Sequence, residues 1–201
     1  METLDIITIS FLSILLLVLL IVGFIEIYIH KLSLEKIPIR IHVNGTRGKS
    51  SVTRLIAAGL RSGGLNTFAK TTGSTPRIIN NLGNDVELHR LRSASIGEQI
   101  KLIRYFSSYK PDVLVMECMA VNPQYQWISE HRIVKSTIGV ITNVRPDHLD
   151  EMGTTLKDIA LSMSNTIPFN SKVFTSDEKC YDVLNDVAVS RGSVLECPKK
   201  N

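Results

Sequence analysis

Between Ile39 and Ser62 the chain passes without a spacer from an apolar run, Ile39-Arg40-Ile41-His42-Val43, through Asn44-Gly45-Thr46-Arg47-Gly48-Lys49-Ser50-Ser51 to Val52, Leu55, Ile56, Gly59 and Leu60 at helical spacing. Strand, glycine turn and helix in that order leave few folds open. Gly45 and Gly48 let the backbone turn with its N–H groups inward, and a helix N-terminus behind such a turn makes a cradle for an anion. Lys49 would reach the outer phosphates of a nucleotide, and Ser50 is placed to ligate a phosphate-bound Mg²⁺. The full G-x-x-x-x-G-K-[ST] pattern is not met, because Val43 takes the first glycine position and leaves the shorter G-x-x-G-K-S. A plain glycine turn before a helix is the competing reading.

Downstream the same alternation recurs. The spacing predicts a helix over 49–62 ending at Gly63-Gly64, a strand at Thr67-Phe68-Ala69, and a helix from the capping-box spacing Ser95…Glu98 to Tyr109, before Pro111. Strands follow at 112–117, 137–142 and 172–175, with helices over 155–166 and 177–191. Short apolar strands without polar alternation, separated by helices, predict an α/β fold with a mostly parallel sheet wrapped on both faces by helices.

Ahead of this domain, Ile6 to Ile25 is an uncharged run of twenty residues. At ~1.5 Å per residue it matches a hydrocarbon core of ~30 Å, which predicts a transmembrane anchor over 1–30. A cleaved signal peptide fits less well, since the leader Met-Glu-Thr-Leu-Asp is acidic and no A-x-A-like site follows. All 23 Lys and Arg lie after residue 30 with all but three of the 19 acids, giving that part a charge of +7. The positive-inside rule then places the N-terminus outside, residues 31–38 as a basic linker in the cytoplasm, and 39–201 as a cytoplasmic nucleotide-binding domain. No basic cluster interleaved with aromatics indicates nucleic acid. Three cysteines without C-x-x-C spacing indicate neither a disulfide framework nor a zinc site.

In parallel sheets ligands bind beyond the carboxyl ends of the strands. Three such places carry chemistry here. One is the glycine loop. Another is Glu117, which ends the run Asp-Val-Leu-Val-Met and could ligate Mg²⁺ or be an ordinary strand-end acid. The third is Asn143-Val144-Arg145-Pro146-Asp147-His148-Leu149-Asp150, whose histidine suits a metal ligand, an acid/base or a hydrogen-bonded loop residue.

Gly45-Thr46-Arg47-Gly48-Lys49-Ser50-Ser51 resembles the G-T-x-G-K-[ST]-[ST] loop of the Mur ligase superfamily, and Glu117 and Asn143 to Asp150 match its strand-end glutamate and N-x-x-x-D-H-x-D segment in order. Within it, the N-terminal span, Lys70-Thr71-Thr72-Gly73, Ile96-Gly97-Glu98-Gln99 and Glu117-Cys118-Met119-Ala120-Val121-Asn122-Pro123 resemble the membrane-anchored ligase subunit of poly-γ-glutamate (capsule) synthases. The resemblance implies an ATP- and Mg²⁺-dependent amide ligase that activates a glutamate carboxylate as an acyl phosphate for attack by another glutamate's amine. It further implies a growing poly-γ-glutamate chain and other membrane subunits of a synthase and export complex as partners. It assigns Lys49, Glu117 and His148 to catalysis, and Gly45 through Ser51 with Asn143 to ATP. The metal ligands would be Ser50, Glu117, His148 and Thr72, although Thr72 also reads as a simple turn residue. Two departures stand out. Met163 falls at about the place of the superfamily's carbamylated lysine, and family ligases continue well past this point, so 39–201 is expected to be an incomplete ATP-binding domain. A membrane-tethered P-loop ATPase or kinase switch, and a truncated nucleotide-binding anchor module, share Lys49, Ser50 and Glu117 and remain the alternatives.

Overall fold

A computed structural model describes residues 2–73, 75–88 and 95–198. Helix α1 (Glu2–Glu35) leads into β1 (Ile39–Asn44), α2 (Lys49–Ser62), β2 (Thr67–Thr71), β3 (Arg77–Ile79), β4 (Asp85–Glu87), α3 (Glu98–Ser107) and β5 (Val113–Glu117). There follow α4 (Pro123–Ile128), a π-helical turn (Ser129–Val134), β6 (Ile138–Ile141), α5 (Leu149–Met152), α6 (Leu156–Met163), a 3-10 turn (Ser164–Thr166), β7 (Lys172–Thr175), α7 (Tyr181–Ser190) and β8 (Val194–Glu196). Among the described residues the strands form one sheet in the order β4-β3-β2-β5-β1-β6-β7-β8. Every pairing from β2 to β8 is parallel, and β3 and β4 add an antiparallel edge.

The pleat divides β1 between two cores. Ile41 and Val43 face Ala57 of α2 with Ala69, Val113 and Val115. On the other face Phe68, Leu114 and Met116 pack with Leu102, Ile103 and Phe106 of α3 and Leu34 at the end of α1. That same face continues over Ile141, Val173 and Leu195, covered by Ile159, Met163, Leu184 and Ala188 of α6 and α7. Helices therefore lie on both faces, but unequally.

The stretch read as a linker is mostly helix. α1 continues unbroken to Glu35, past the apolar run, because its last turns have a face to bury: Ser33 and Leu34 are buried, as is Ile37 just beyond. His30 Nε2 sits 2.8 Å from Ile133 O. Arg40 then ties the junction together, donating to the carbonyls of Leu34, Ile37, Val134 and Lys135 at 2.5–3.2 Å.

The expected capping box at the start of α3 does not form. Gly97 is the N-cap with no side-chain bond, Ser95 Oγ accepts from Gly97 N, and the Glu98 carboxylate approaches Lys70 Nζ at 3.8 Å. A capping box forms instead at α6, where Thr155 and Asp158 satisfy each other's backbone N–H. α7 begins at Tyr181, later than expected from 177, because the Asp177 carboxylate is engaged with Val144 N and Cys180 N, each at 2.8 Å. Among the described residues β3, β4 and β8, each three residues long, have no counterpart in the sequence reading, and neither have α4 and the π-helical turn.

Candidate functional site

The loop after β1 turns through two glycines for different reasons. Gly45 has φ +134°, and a Cβ there would lie 2.1 Å from Thr142 Oγ1, so both conformation and space require glycine. Gly48, at φ +79°, is the left-handed N-cap of α2 and has open space around it. Asn143 clamps the loop from β6: its Oδ1 accepts from Thr46 Oγ1 and Arg47 N, and its Nδ2 donates to Arg47 O. Thr142 Oγ1 donates to the same carbonyl at 2.7 Å. The loop is thus held from outside, with its interior free for a ligand.

Lys49 Nζ folds over the loop and donates to Gly45 O at 2.6 Å. Ser50 Oγ donates to Glu117 Oε2 at 2.8 Å, and the same oxygen accepts from Thr72 N at 2.8 Å. The first turn of α2 and the ends of β2 and β5 meet at that one carboxylate, which is only 2% exposed. Here Thr72 engages through its backbone. Opposite, the short helix α5 opens at His148, whose φ is +47° and whose ring is about half exposed, with Nε2 3.9 Å from Asp147 Oδ1. Asp147 also meets Arg47 Nη2 at 3.3 Å, bridging the loop to the segment after β6.

Lys49, Thr72, Glu117 and His148 all line one cleft of about 500 Å³, together with Thr46, Arg47, Cys118 and the buried Met163. Ser50 reaches it through Glu117. Ser51 is exposed on the first turn of α2 and does not line the cleft. Gly48 and Asn143 border a second, mainly apolar hollow of about 350 Å³ on the outer side of the loop, with Val52, Val140 and Phe174.

The donor set fits a nucleotide with a hard cation. A hydroxyl and a carboxylate 2.8 Å apart offer oxygen ligands beside an anion cradle, as Mg²⁺ requires when phosphates and water supply the rest. Among the described residues no cluster of three or more His, Cys, Asp or Glu forms a self-sufficient metal cage.

Several contributors lie outside the sequence motifs. Asn44 Nδ2 donates to Gln126 Oε1 and Thr166 Oγ1, fixing the root of the loop against α4. Asp177 holds the backbone just after Asn143. Behind the cleft, fully buried His42 has Nδ1 2.8 Å from Glu130 Oε2, and Glu130 Oε1 accepts from Ser136 N and Oγ. Burial alone would lower this imidazole's pKa, but the Cys118 and Glu130 side chains beside it raise it to about 10. None of these shows a local pattern. The one available signal was polar residues inside apolar runs, His42 above all.

A family model, the Mur ligase middle domain, matches residues 43–187. The capsule biosynthesis protein CapB of Bacillus anthracis is 37% identical over 177 residues, covering 87% of this chain and 38% of that protein. The PGA synthase CapB of Bacillus subtilis (strain 168) is 36% identical over 178 residues, covering 88% and 45%. The chain spans less than half the length of these relatives. Among solved structures, E. coli FolC in complex with DHPP and ADP aligns with a TM-score of 0.63 at 18% identity, over 86% of this chain and 46% of that one. A Yersinia pestis bifunctional folylpolyglutamate synthase/dihydrofolate synthase with AMPPNP and Mn gives 0.65 at 18%, with the same coverage. These likenesses concern the fold. The family match spans well over half the sequence, and on that ground the chain belongs to the Mur ligase family through its middle domain.

Proposed function

We propose that this chain is the nucleotide-binding part of an ATP-dependent carboxylate–amine ligase acting in poly-γ-glutamate synthesis at a membrane. The observation that carries the reading is the meeting of Ser50, Thr72 and Glu117 beside Lys49 in a single cleft. Kinship with the two CapB proteins supports the substrate class. Bound Mg²⁺·ATP would supply the phosphoryl group that turns a glutamate carboxylate into an acyl phosphate.

The residues present account for binding and orientation. Lys49, which donates to Gly45 O, would turn its ammonium to the phosphate oxygens of a bound nucleotide. The loop amides and the α2 N-terminus neutralise the remaining charge, the main demand in phosphoryl transfer. Ser50 and Glu117 would hold the cation, with Thr72 N fixing the carboxylate's orientation. His148, which lines the same cleft, would serve a second cation or the substrate carboxylate, and Arg47 would add positive charge. The apolar hollow beside Asn143 would take the base. Met163 cannot carry a carbamate, so its position contributes apolar surface to the cleft floor.

The test is ADP release from membranes holding the natively encoded full-length product, with and without glutamate, beside Lys49→Ala. Glutamate-dependent release lost in the variant is expected. Release indifferent to glutamate would favour an ATPase or kinase switch, and bound ATP without release an anchor module that works with another chain.

A further inference from the structure

The uncharged run of α1 ends at Ile25, and the first charged side chain after it, Glu26, does not face solvent alone: it accepts from Arg104 Nη2 of α3 at 2.8 Å. This pair fixes the height of α3. Its last turn lies level with the end of the apolar run. The exposed edge of that turn has an unusual composition for a water-facing helix. Lys101, Tyr105 and Tyr109 follow at four-residue spacing, the two tyrosines about half exposed, their rings 5.2 Å apart and Tyr109 Oη donating to Tyr105 Oη at 3.2 Å. Lys110 follows, also exposed. On α1 itself Ile27 and Tyr28 remain exposed past Glu26, and Lys31 and Lys36 come next. Tyrosine, with an apolar ring and a polar tip, is the side chain that partitions to the boundary between acyl chains and headgroups, and lysines beyond it suit anionic headgroups.

We infer that the outer edge of α3, centred on Tyr105 and Tyr109, is an interfacial surface seated in the headgroup layer of the bilayer leaflet from which α1 emerges. This rests on α1 being a membrane span. The occupant is lipid because the patch continues directly from the apolar helix through the Glu26–Arg104 pair and has the aromatic-plus-basic chemistry of that layer. The domain is then held at the membrane by two contacts, the span and this edge.

The chain has one tryptophan, Trp127, so Trp127→Phe gives a silent background for a reporter. Tyr105→Trp, and separately Tyr109→Trp, are placed in the full chain and reconstituted in nanodiscs of phosphatidylcholine and phosphatidylglycerol, with or without bromine near the top of the acyl chains. Leu55→Trp is the control, exposed on α2 over the opposite face of the sheet. Bromine should cut the emission of both interfacial reporters by about half, as expected for rings ~5–10 Å into the boundary, and leave Leu55→Trp unchanged. A chain that co-elutes with nanodiscs while both reporters are as insensitive as the control overturns the interfacial surface and leaves the span intact. A chain that fails to enter nanodiscs overturns the span, and this surface with it.

Discussion

Glu130 and His42 form the least accessible ion pair in the molecule's described part, and its energetics set a pH dependence. The imidazole titrates near 10 in the fold and near ~6.5 when unfolded, so the unfolded chain loses its proton first as pH rises. The pair's stabilisation is complete below about 6.5, declines between about 6.5 and 10, and is gone above. Thermal midpoints of the wild type should therefore fall across that interval, and Glu130→Gln should flatten the profile while costing about 3–5 kcal/mol, the usual penalty for orphaning a buried partner. A wild-type midpoint level from neutral to alkaline pH would refute the assignment of charge. At this scale the glycine loop, Lys49, Ser50 and Glu117 were legible because their chemistry is written in contiguous residues. His42, Glu130, Asn44 and Asp177 were not: each has a partner 33 to 122 residues away that becomes a neighbour only once the sheet is ordered.

At the scale of elements, the junction of α1 with the domain depends on Arg40. One guanidinium satisfies carbonyls from the end of α1, the turn after it and the end of the π-helical turn. Arg40→Met keeps the stem and removes the donors. We expect a loss of about 1.5–3 kcal/mol, in the range of charge-assisted hydrogen bonds, and hydrogen exchange at residues 30–37 rising before that of β1 and β5. Unchanged exchange there would mean that packing of Leu34 and Ile37 suffices. Apolar runs long enough to be central strands announced themselves, as did the apolar helix. The edge strands did not, since Asp85–Glu87 is exposed and has no apolar face to bury, its backbone ladder being joined by the Asp85 carboxylate, which takes Arg77 of β3 and Arg54 of α2. The π-helical turn is likewise held by distant contacts, Ser129 to Gln99 and Glu130 to His42.

For the whole molecule, the strand order gathers the loops after β1, β2, β5 and β6 at one edge of the sheet, where the cleft lies. A parallel sheet was legible; its order was not, because no short-range signal chooses which strands become neighbours. Ligand binding at a site assembled from four strand ends should stabilise the entire domain. Saturation at a hundred times Kd with Mg²⁺·ATP is worth about 2.7 kcal/mol, or about 5–10 °C in midpoint for a domain of this size. Lys49→Ala should abolish the shift and chelation of Mg²⁺ should remove most of it; an equal shift in the variant would move the nucleotide elsewhere.

The unbroken passage of α1 into the core also sets an azimuth. A helix advances about 100° per residue, so any neighbour that grips the apolar segment in the bilayer holds the domain at one compass bearing as well as one height. A single residue inserted among the leucines would swing the cleft by more than a quarter turn relative to such a neighbour. Seven would bring it almost back, two turns farther away.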